Sequence, residues 1–242
     1  FPDLTPADLA RAHEPLIERL GISRIALAAG VGLGGMVALE WGRRSPVPVT
    51  HLVVIAAPAA SSPQTIAWHA AQRLAIEAHP GGLAAAHALT VALARSPSEL
   101  LARFGRLRSA RGEFAVERFL RAEARAALAS FTPASYLALI RTMDLHDMGD
   151  LVEAARSTAR RVTRVTGVGL STDFIVAPAE VRAWVRAYRA AGLDADYLEL
   201  ASIHGHDAAL VDADQLAPVL RPGSSPARGR GSRDGDGSAP SP

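Results

Sequence analysis

The sequence predicts an α/β protein whose mostly parallel sheet is interrupted by a helical insertion. Three observations predict this class. A strand, a glycine turn, a helix and a second strand follow one another over residues 22–57, only helical patterns follow over 64–158, and strand patterns return at residue 161. Strands and helices that alternate in this way are typical of a parallel sheet covered by helices.

The first elements are assigned from helix caps and apolar runs. Thr5 is a good N-cap and Gly21 a good terminator, so a helix is predicted between them. The apolar runs 22–29 and 51–57 are short enough to be buried strands. A second helix, predicted over 36–43, connects them in the order that a parallel pair requires.

Residues 64–158 are rich in Ala and Leu at helical spacing and contain no convincing strand. We interpret this stretch as a helical cap inserted into the α/β domain. Strands are predicted again over 161–169 and 197–200, with helices over 178–191 and 208–220.

The chain therefore divides into four predicted parts. Residues 1–63 and 159–220 form the two halves of an α/β core, and 64–158 form the cap between them. Residues 221–242 are dominated by Pro, Gly, Ser, Arg and Asp without periodicity, which predicts a disordered tail.

Composition excludes several classes of function. The 242 residues carry a net charge of +2 and no cysteine, so disulfides and Cys-ligated zinc are excluded, and no metal site is predicted. The sequence contains no basic stripe interleaved with aromatic residues, so it does not predict nucleic-acid binding. No apolar run reaches the roughly 18 residues of a membrane span, and no leader segment is recognisable. We therefore expect a cytoplasmic protein that binds neither nucleic acid nor membrane.

The glycine turn after the first strand allows three interpretations. Gly30, Gly32 and Gly35 match the dinucleotide-binding pattern G-x-G-x-x-G, although no acidic residue ends the next strand. Gly30, Gly32 and Gly34 also match the nucleophile elbow G-x-S-x-G, with Gly32 at the position of the serine. The third interpretation is a structural strand-to-helix turn without chemistry.

An acid and a histidine follow the last two predicted strands. Asp173 comes after the resumed strand and His206 after the final one. Hydrolase-like sheets place nucleophile, acid and histidine in this chain order, and loops at the carboxyl ends of parallel strands converge. Asp173 and His206 are therefore the candidate dyad, with His204 as the weaker alternative to His206.

Five segments resemble one known family in the same order along the chain. Residues 30–41 (GVGLGGMVALEW) resemble an elbow written G-G-S-M-G-G-M-x-A-L-E-W, and residues 171–173 resemble its S-S-D-W-L-F acid loop. Residues 205–208 resemble its G-H-D-A-F-L histidine loop, and residues 66–76 and 131–144 resemble parts of its cap. The family is that of the homoserine O-acetyltransferases, which are α/β-hydrolase-fold acyltransferases.

The resemblance implies a fold, an activity and a set of residue roles. It implies an α/β-hydrolase fold and acyl transfer from acetyl-CoA or succinyl-CoA to a small-molecule hydroxy amino acid in methionine biosynthesis. It also implies no bound cofactor, and a homodimer formed through the cap helices. Asp173 corresponds to the triad acid, His206 to the general base, Asp207 to the residue holding the substrate amino group, Tyr136 to the lining of the acceptor pocket, and the Leu33 backbone to the oxyanion hole.

The chain departs from the family pattern at two functional positions. Gly32 stands where the nucleophilic serine belongs, and loss of a triad nucleophile costs about a million-fold in turnover. The cap arginine that clamps the substrate carboxylate is missing near Ala129 and Ser130. Candidates to replace this arginine are Arg121, Arg125 and Arg141.

These departures leave three hypotheses for function. The first is an acyltransferase that is impaired or inactive in this copy. The second is a non-catalytic relative, a pseudoenzyme that serves as a ligand-binding or dimerisation module. The third is a hydrolase in which Asp173 and His206 activate water in the space at Gly32. The family sheet also has more strands, so we expect further strands upstream of Phe1.

Overall fold

The computed structural model describes residues 3–221, so the predicted tail lies outside the described residues apart from Arg221. Within these residues, four strands form one parallel sheet in chain order, and Leu170 and Leu200 are partners where two of them end. The carboxyl ends of the strands therefore meet at one edge. The strands are β1 (Ile25–Val31), β2 (Val49–Ile55), β3 (Val162–Leu170) and β4 (Asp194–Leu200).

Helices precede, connect and follow these strands. Within residues 3–221, no helix is both long and apolar enough to cross a membrane. The helices are α1 (Pro6–Arg11), α2 (Glu14–Arg19), α3 (Leu33–Arg44), α4 (Pro63–Ala78), α5 (Gly82–Ala94), α6 (Pro97–Phe104), α7 (Ala115–Ser130), α8 (Pro133–Asp144), α9 (Leu151–Ala159), α10 (Pro178–Ala190), α11 (Ala208–Val211) and α12 (Ala213–Leu216).

The sheet is covered on both faces, which explains why most residues of its central strands β2 and β3 are buried. Helices α1, α3, α9 and α10 pack on one another and on the sheet around the larger apolar cluster. Helices α11 and α12 contribute to the second cluster with residues of the strands. The largest fully buried side chains of the two clusters include Leu39, Leu52, Ile55, Leu170, Trp184 and Tyr188.

The named elements between β2 and β3 are all helices, from α4 to α9. Helices α4, α5 and α8 surround a separate small core of Leu83, Ala86, Tyr136 and Ile140. Helix α9 differs from them because it packs on α3 and α10 of the α/β core. The range 64–158 predicted for the cap thus includes one helix that packs with the core.

The predicted helices at the two ends of the chain were too long. The helix predicted between Thr5 and Gly21 is two helices, α1 and α2, because Pro15 has no N–H to continue the ladder. The helix predicted over 208–220 is broken at Asp212, where ψ is 32°, and α12 ends at Leu216. Strand β1 begins three residues after its predicted start at residue 22, and β4 begins three residues before its predicted start at residue 197 but ends at Leu200 as predicted.

Candidate active site

The glycine turn has the backbone geometry of a nucleophile elbow. Gly32 lies between β1 and α3 with φ 54° and ψ −120°, a conformation that strains any residue with a side chain. Its N–H donates to the carbonyl oxygen of Ile55 at 3.0 Å, which holds the turn against β2. A Cβ at position 32 would lie 3.3 Å from Nε2 of His206. A side chain here would therefore meet the imidazole.

The neighbouring glycines allow the turn to be this tight. A Cβ on Gly30 would overlap the carbonyl oxygen of Gly34, which belongs to the first turn of α3. A Cβ on Gly35 would lie 2.6 Å from the methyl group of Ala57, two residues beyond the end of β2. The small residues are thus required by the close approach of α3 to two strands, as the elbow interpretation expects.

Asp173 and His206 form a hydrogen-bonded dyad. His206 Nδ1 lies 2.7 Å from Asp173 Oδ2. The other oxygen of Asp173 accepts the N–H groups of Ile175 at 2.8 Å and Val176 at 3.0 Å. The Asp173 side chain is fully buried, so these bonds fix the carboxylate and the ring orientation. The second nitrogen of His206 is the one nearest to the position of a residue-32 side chain.

Adjacent strands bring the two loops of the dyad together. Thr172, beside the acid, donates through its hydroxyl to the carbonyl oxygen of Ser202 at 2.9 Å. The same hydroxyl oxygen accepts the N–H of Gly205, beside the histidine, at 3.0 Å. Because β3 and β4 are neighbours that end at Leu170 and Leu200, both loops start from one edge of the sheet.

The dyad raises the basicity of His206. Burial of the ring favours the neutral form, but the hydrogen bond and the charge of Asp173, helped by the charge of Asp207, outweigh burial. The pKa of His206 is therefore raised above its ordinary value. A more basic imidazole is a better proton acceptor for a hydroxyl placed at Nε2.

Leu33 is the first residue of α3 and follows the elbow position directly. The first N–H groups of a helix have no acceptor within the helix and carry its positive end. The Leu33 backbone N–H is thus available for the oxyanion role that the sequence predicts for it, which stays a prediction. Leu33 also lines an apolar groove that includes Trp41.

Asp207 lies beside the dyad but is engaged by another residue. Arg95, at the end of α5, donates from Nη1 to Asp207 Oδ2 at 2.6 Å. With Glu99 and His204, these two line an open cavity of about 560 Å³ that does not include His206. Sequence reasoning missed this pairing because nothing in the local pattern relates Arg95 to a loop more than a hundred residues away.

Tyr136 lies in a different cavity, which it shares with His206. This cavity has a volume of about 200 Å³ and lies between the cap and the histidine loop. The arginines considered as replacements for the missing clamp do not line it: Arg141 pairs with Asp3 at 3.1 Å and Arg121 with Glu113 at 3.1 Å.

No group of three or more His, Asp or Glu side chains within residues 3–221 is placed to hold a metal ion. The arrangement of elbow, acid and histidine can orient and deprotonate a hydroxyl or water beside His206 Nε2, but the elbow itself supplies no oxygen.

The architecture and the order of these three positions define a class of protein, the α/β-hydrolase fold. Solved structures agree: the homoserine O-acetyltransferase from Bacillus anthracis superposes with a TM-score of 0.81 at 20% identity, covering 91% of this chain and 65% of that one. Esterase E22 superposes with a TM-score of 0.79 at 22% identity, covering 91% and 67%. Because one of these neighbours is named an acetyltransferase and the other an esterase, their similarity shows the fold of this chain and not its reaction.

Curated sequences show which proteins the chain is similar to. The homoserine O-acetyltransferase of Moorella thermoacetica is 33% identical over 248 residues, and that of Thermus thermophilus is 37% identical over 234 residues. These matches cover 92% and 91% of this chain but only 65% and 58% of the relatives' own length. The chain is therefore similar to homoserine O-acetyltransferases over nearly its whole length. No protein-family model matches the chain.

Proposed function

We propose that this chain carries the site of an acyl-CoA-dependent O-acyltransferase in which the covalent step is impaired or inactive. Acetyl-CoA is the proposed acyl donor, with succinyl-CoA as the alternative, and a hydroxyl compound is the acceptor. The family name suggests homoserine as that acceptor, and methionine biosynthesis as the pathway. The proposal rests on one distance in particular: a Cβ at position 32 would lie 3.3 Å from His206 Nε2.

Each remaining part of the site has a proposed role in acyl transfer. Asp173 holds the tautomer of His206, and His206 removes the proton of an attacking hydroxyl through Nε2. The N–H of Leu33 stabilises negative charge on the thioester oxygen during attack. Tyr136 contributes to the wall of the acceptor cavity. The role of Asp207 in holding a substrate amino group would require breaking its ion pair with Arg95.

Gly32 removes the usual route of reaction. In that route, a serine hydroxyl attacks the thioester, CoA leaves as a thiol, and the acyl-enzyme is discharged by the acceptor. Glycine has no atom that could carry the acyl group, and neither Val31 nor Leu33 has a nucleophilic side chain. We expect turnover about a million-fold below that of an intact triad.

CoA release tests this proposal cleanly because the chain has no cysteine to react with a thiol reagent. We expect the native chain to release no CoA from acetyl-CoA above the uncatalysed rate, and Gly32→Ser to release a burst of about one CoA per chain. Gly32→Ser with His206→Ala is the control, because it keeps the hydroxyl and removes the base. Efficient acyl transfer by the native chain would contradict the impairment, and a folded Gly32→Ser without a burst would contradict the assigned site.

A second candidate function is hydrolysis by the dyad alone. Because position 32 has no side chain, a water molecule could occupy the space next to His206 Nε2 and be deprotonated there. The test is hydrolysis of p-nitrophenyl acetate by the native chain. A rate that falls in both Asp173→Asn and His206→Ala would favour this candidate, and a rate unaffected by either would eliminate it.

The setting of the protein is also a proposal. We propose a cytoplasmic protein that forms a homodimer through its cap helices and acts on small molecules. Sedimentation of the native chain tests the dimer. Substitution of the exposed Leu128 of α7 by Asp should weaken the dimer if that helix lies in the interface.

A further inference from the structure

The cavity that adjoins His206 has a predominantly apolar wall. Its volume of about 200 Å³ exceeds the roughly 150 Å³ of an engineered cavity that binds benzene, so it suits a ligand of about six to ten heavy atoms. The apolar side chains that line it come from α4, α5 and α8, from Phe131 just before α8, and from Ile175 in the loop that carries Asp173. They are Trp68, Leu93, Phe131, Leu139, Ile140, Met143 and Ile175.

The polar side chains of the same wall mostly bond to one another. Tyr136 Oη lies 2.7 Å from the hydroxyl of Thr90 and donates to the carbonyl oxygen of the Gln72 side chain at 3.1 Å. The amide nitrogen of Gln72 donates back to Thr90 at 3.1 Å. Thr65 donates to the backbone carbonyl of Ile175 at 3.3 Å. These bonds close a network that offers few free donors or acceptors to a bound molecule.

The charged groups near this cavity are also engaged with partners. Arg73 Nη1 lies 2.5 Å from Asp144 Oδ2, and His69 Nδ1 lies 2.6 Å from the other oxygen of the same carboxylate. Asp207 is paired with Arg95 and lines the other cavity. No aspartate, glutamate or arginine of residues 3–221 lines the cavity beside His206.

The region where the family has its carboxylate clamp does not supply a charge. Ala129 and Ser130 are exposed at the end of α7 and are not part of the cavity wall. An amino acid bound here would therefore find no Asp, Glu or Arg side chain of residues 3–221 to pair with its ammonium and carboxylate. Burial of an unpaired charge is strongly unfavourable, whereas burial of apolar surface is favourable.

We propose that the acceptor cavity of this chain binds an uncharged, mostly apolar alcohol, or the ester formed from it, in preference to an amino acid. This inference rests on the proposed function, since it narrows the acceptor at the same site. The hydroxyl oxygen lies toward His206 Nε2, and the carbon chain packs against Trp68, Leu139 and Ile140. The cavity favours an uncharged alcohol over an amino acid because no Asp, Glu or Arg side chain of residues 3–221 lines its wall.

Binding is tested by titrating the native chain with two probes, 1-hexanol and L-homoserine. Trp68 lines the cavity, so its fluorescence reports occupancy, and calorimetry gives the affinity independently. We expect 1-hexanol to bind at least tenfold more tightly than L-homoserine. Equal or tighter binding of L-homoserine, or no binding of 1-hexanol, would overturn the proposal.

A matched pair of charge substitutions locates the binding. Leu139 on α8 lines the cavity and is 37% exposed, whereas Leu74 on α4 is 66% exposed and does not line it. Leu139→Asp should weaken 1-hexanol binding at least fivefold, and Leu74→Asp should leave it unchanged. Equal effects of the two variants, with both chains folded by circular dichroism, would overturn the assignment to this cavity. Arg95→Ala should not create L-homoserine binding.

Acyl transfer separates this inference from the proposed function. In acetylated Gly32→Ser, the alcohol oxygen attacks the serine ester, the alcohol proton passes to His206, and the serine oxygen takes that proton as it leaves. We expect hexyl acetate to form faster than O-acetylhomoserine. Discharge by L-homoserine alone would overturn the acceptor assignment and leave the proposed function standing. Failure to acetylate would contradict the proposed function, while the titrations would still decide the cavity.

Discussion

The core side and the cap side of the candidate site differ in what they retain. On the core side, Gly32 has the elbow conformation and Asp173 and His206 form a hydrogen-bonded pair, but position 32 has no nucleophilic oxygen. On the cap side, Arg95 pairs with Asp207 of the histidine loop, and no Asp, Glu or Arg side chain of residues 3–221 lines the cavity. The core geometry follows from parallel strands ending at one edge, whereas the binding chemistry of the cap depends on individual side chains that can be replaced one at a time.

The largest expected effect is the restoration of chemistry on the core side. Gly32→Ser should raise the rate of CoA release from acetyl-CoA by at least about ten-thousand-fold, since a lost nucleophile costs about a million-fold. The matched control is Gly34→Ser, where a Cβ meets nothing within 4 Å and the hydroxyl does not face the dyad. Equal rates for the two variants would show that the core side does not retain catalytic geometry.

The second-largest effect tests whether the elbow turn leaves room for a side chain at position 30. Gly30→Ala would drive a methyl group into the carbonyl oxygen of Gly34, which is backbone and cannot move aside cheaply. We expect the free energy of unfolding to fall by about 3 kcal/mol or more, as for other severe overpacking. Urea denaturation measures it, with Gly34→Ala as the control. A loss below about 1 kcal/mol in Gly30→Ala would indicate a looser turn.

The third effect concerns the acid of the dyad. Asp173→Asn removes the charge that raises the pKa of His206 but keeps the shape, so the pKa should fall and stability should drop by about 1–2 kcal/mol. Asp207→Asn should lower the same pKa by less, because its charge contributes least to the shift. NMR titration of the His206 ring measures both. A larger decrease in Asp207→Asn would reverse the assigned roles.

The smallest effect is the pH dependence of stability. Since the folded pKa of His206 lies above the unfolded value of about 6.5, its stabilisation is complete below that pH and is lost as pH rises through the folded pKa. Burial lowers the pKa of His51 and of His146, so these two contribute in the opposite direction. The difference between the native chain and His206→Gln isolates the His206 contribution, which is about 1.4 kcal/mol for each unit of pKa difference. A difference that does not change with pH would contradict the raised pKa.

The sequence predicted the fold class because its signals are local or periodic. Apolar runs, the elbow glycines and the long helical stretch each lie within one segment, and their order defines the parallel sheet. Helix limits were predicted less well, as Pro15 shows: a proline near a helix start is tolerated, yet it divided the predicted helix into α1 and α2.

Some features of the candidate site could likewise be predicted from the sequence, and others could not. Asp173 and His206 could be predicted because strand ends converge, and the structure places them 2.7 Å apart. The pairing of Arg95 with Asp207 could not, because it joins two distant segments through side chains alone. The apolar character of the cavity was equally hidden, since cap residues from several helices form it only after packing.

The most direct test of the account is the location of an acetyl group. The Gly32→Ser variant is incubated with acetyl-CoA and digested, and the masses of its peptides are measured by mass spectrometry. We predict one acetyl group on the peptide that contains position 32, and none there when His206→Ala is added. A folded Gly32→Ser chain that carries no acetyl group at position 32, or carries it regardless of His206, would contradict the claim that this turn is an acyltransferase elbow lacking only its hydroxyl.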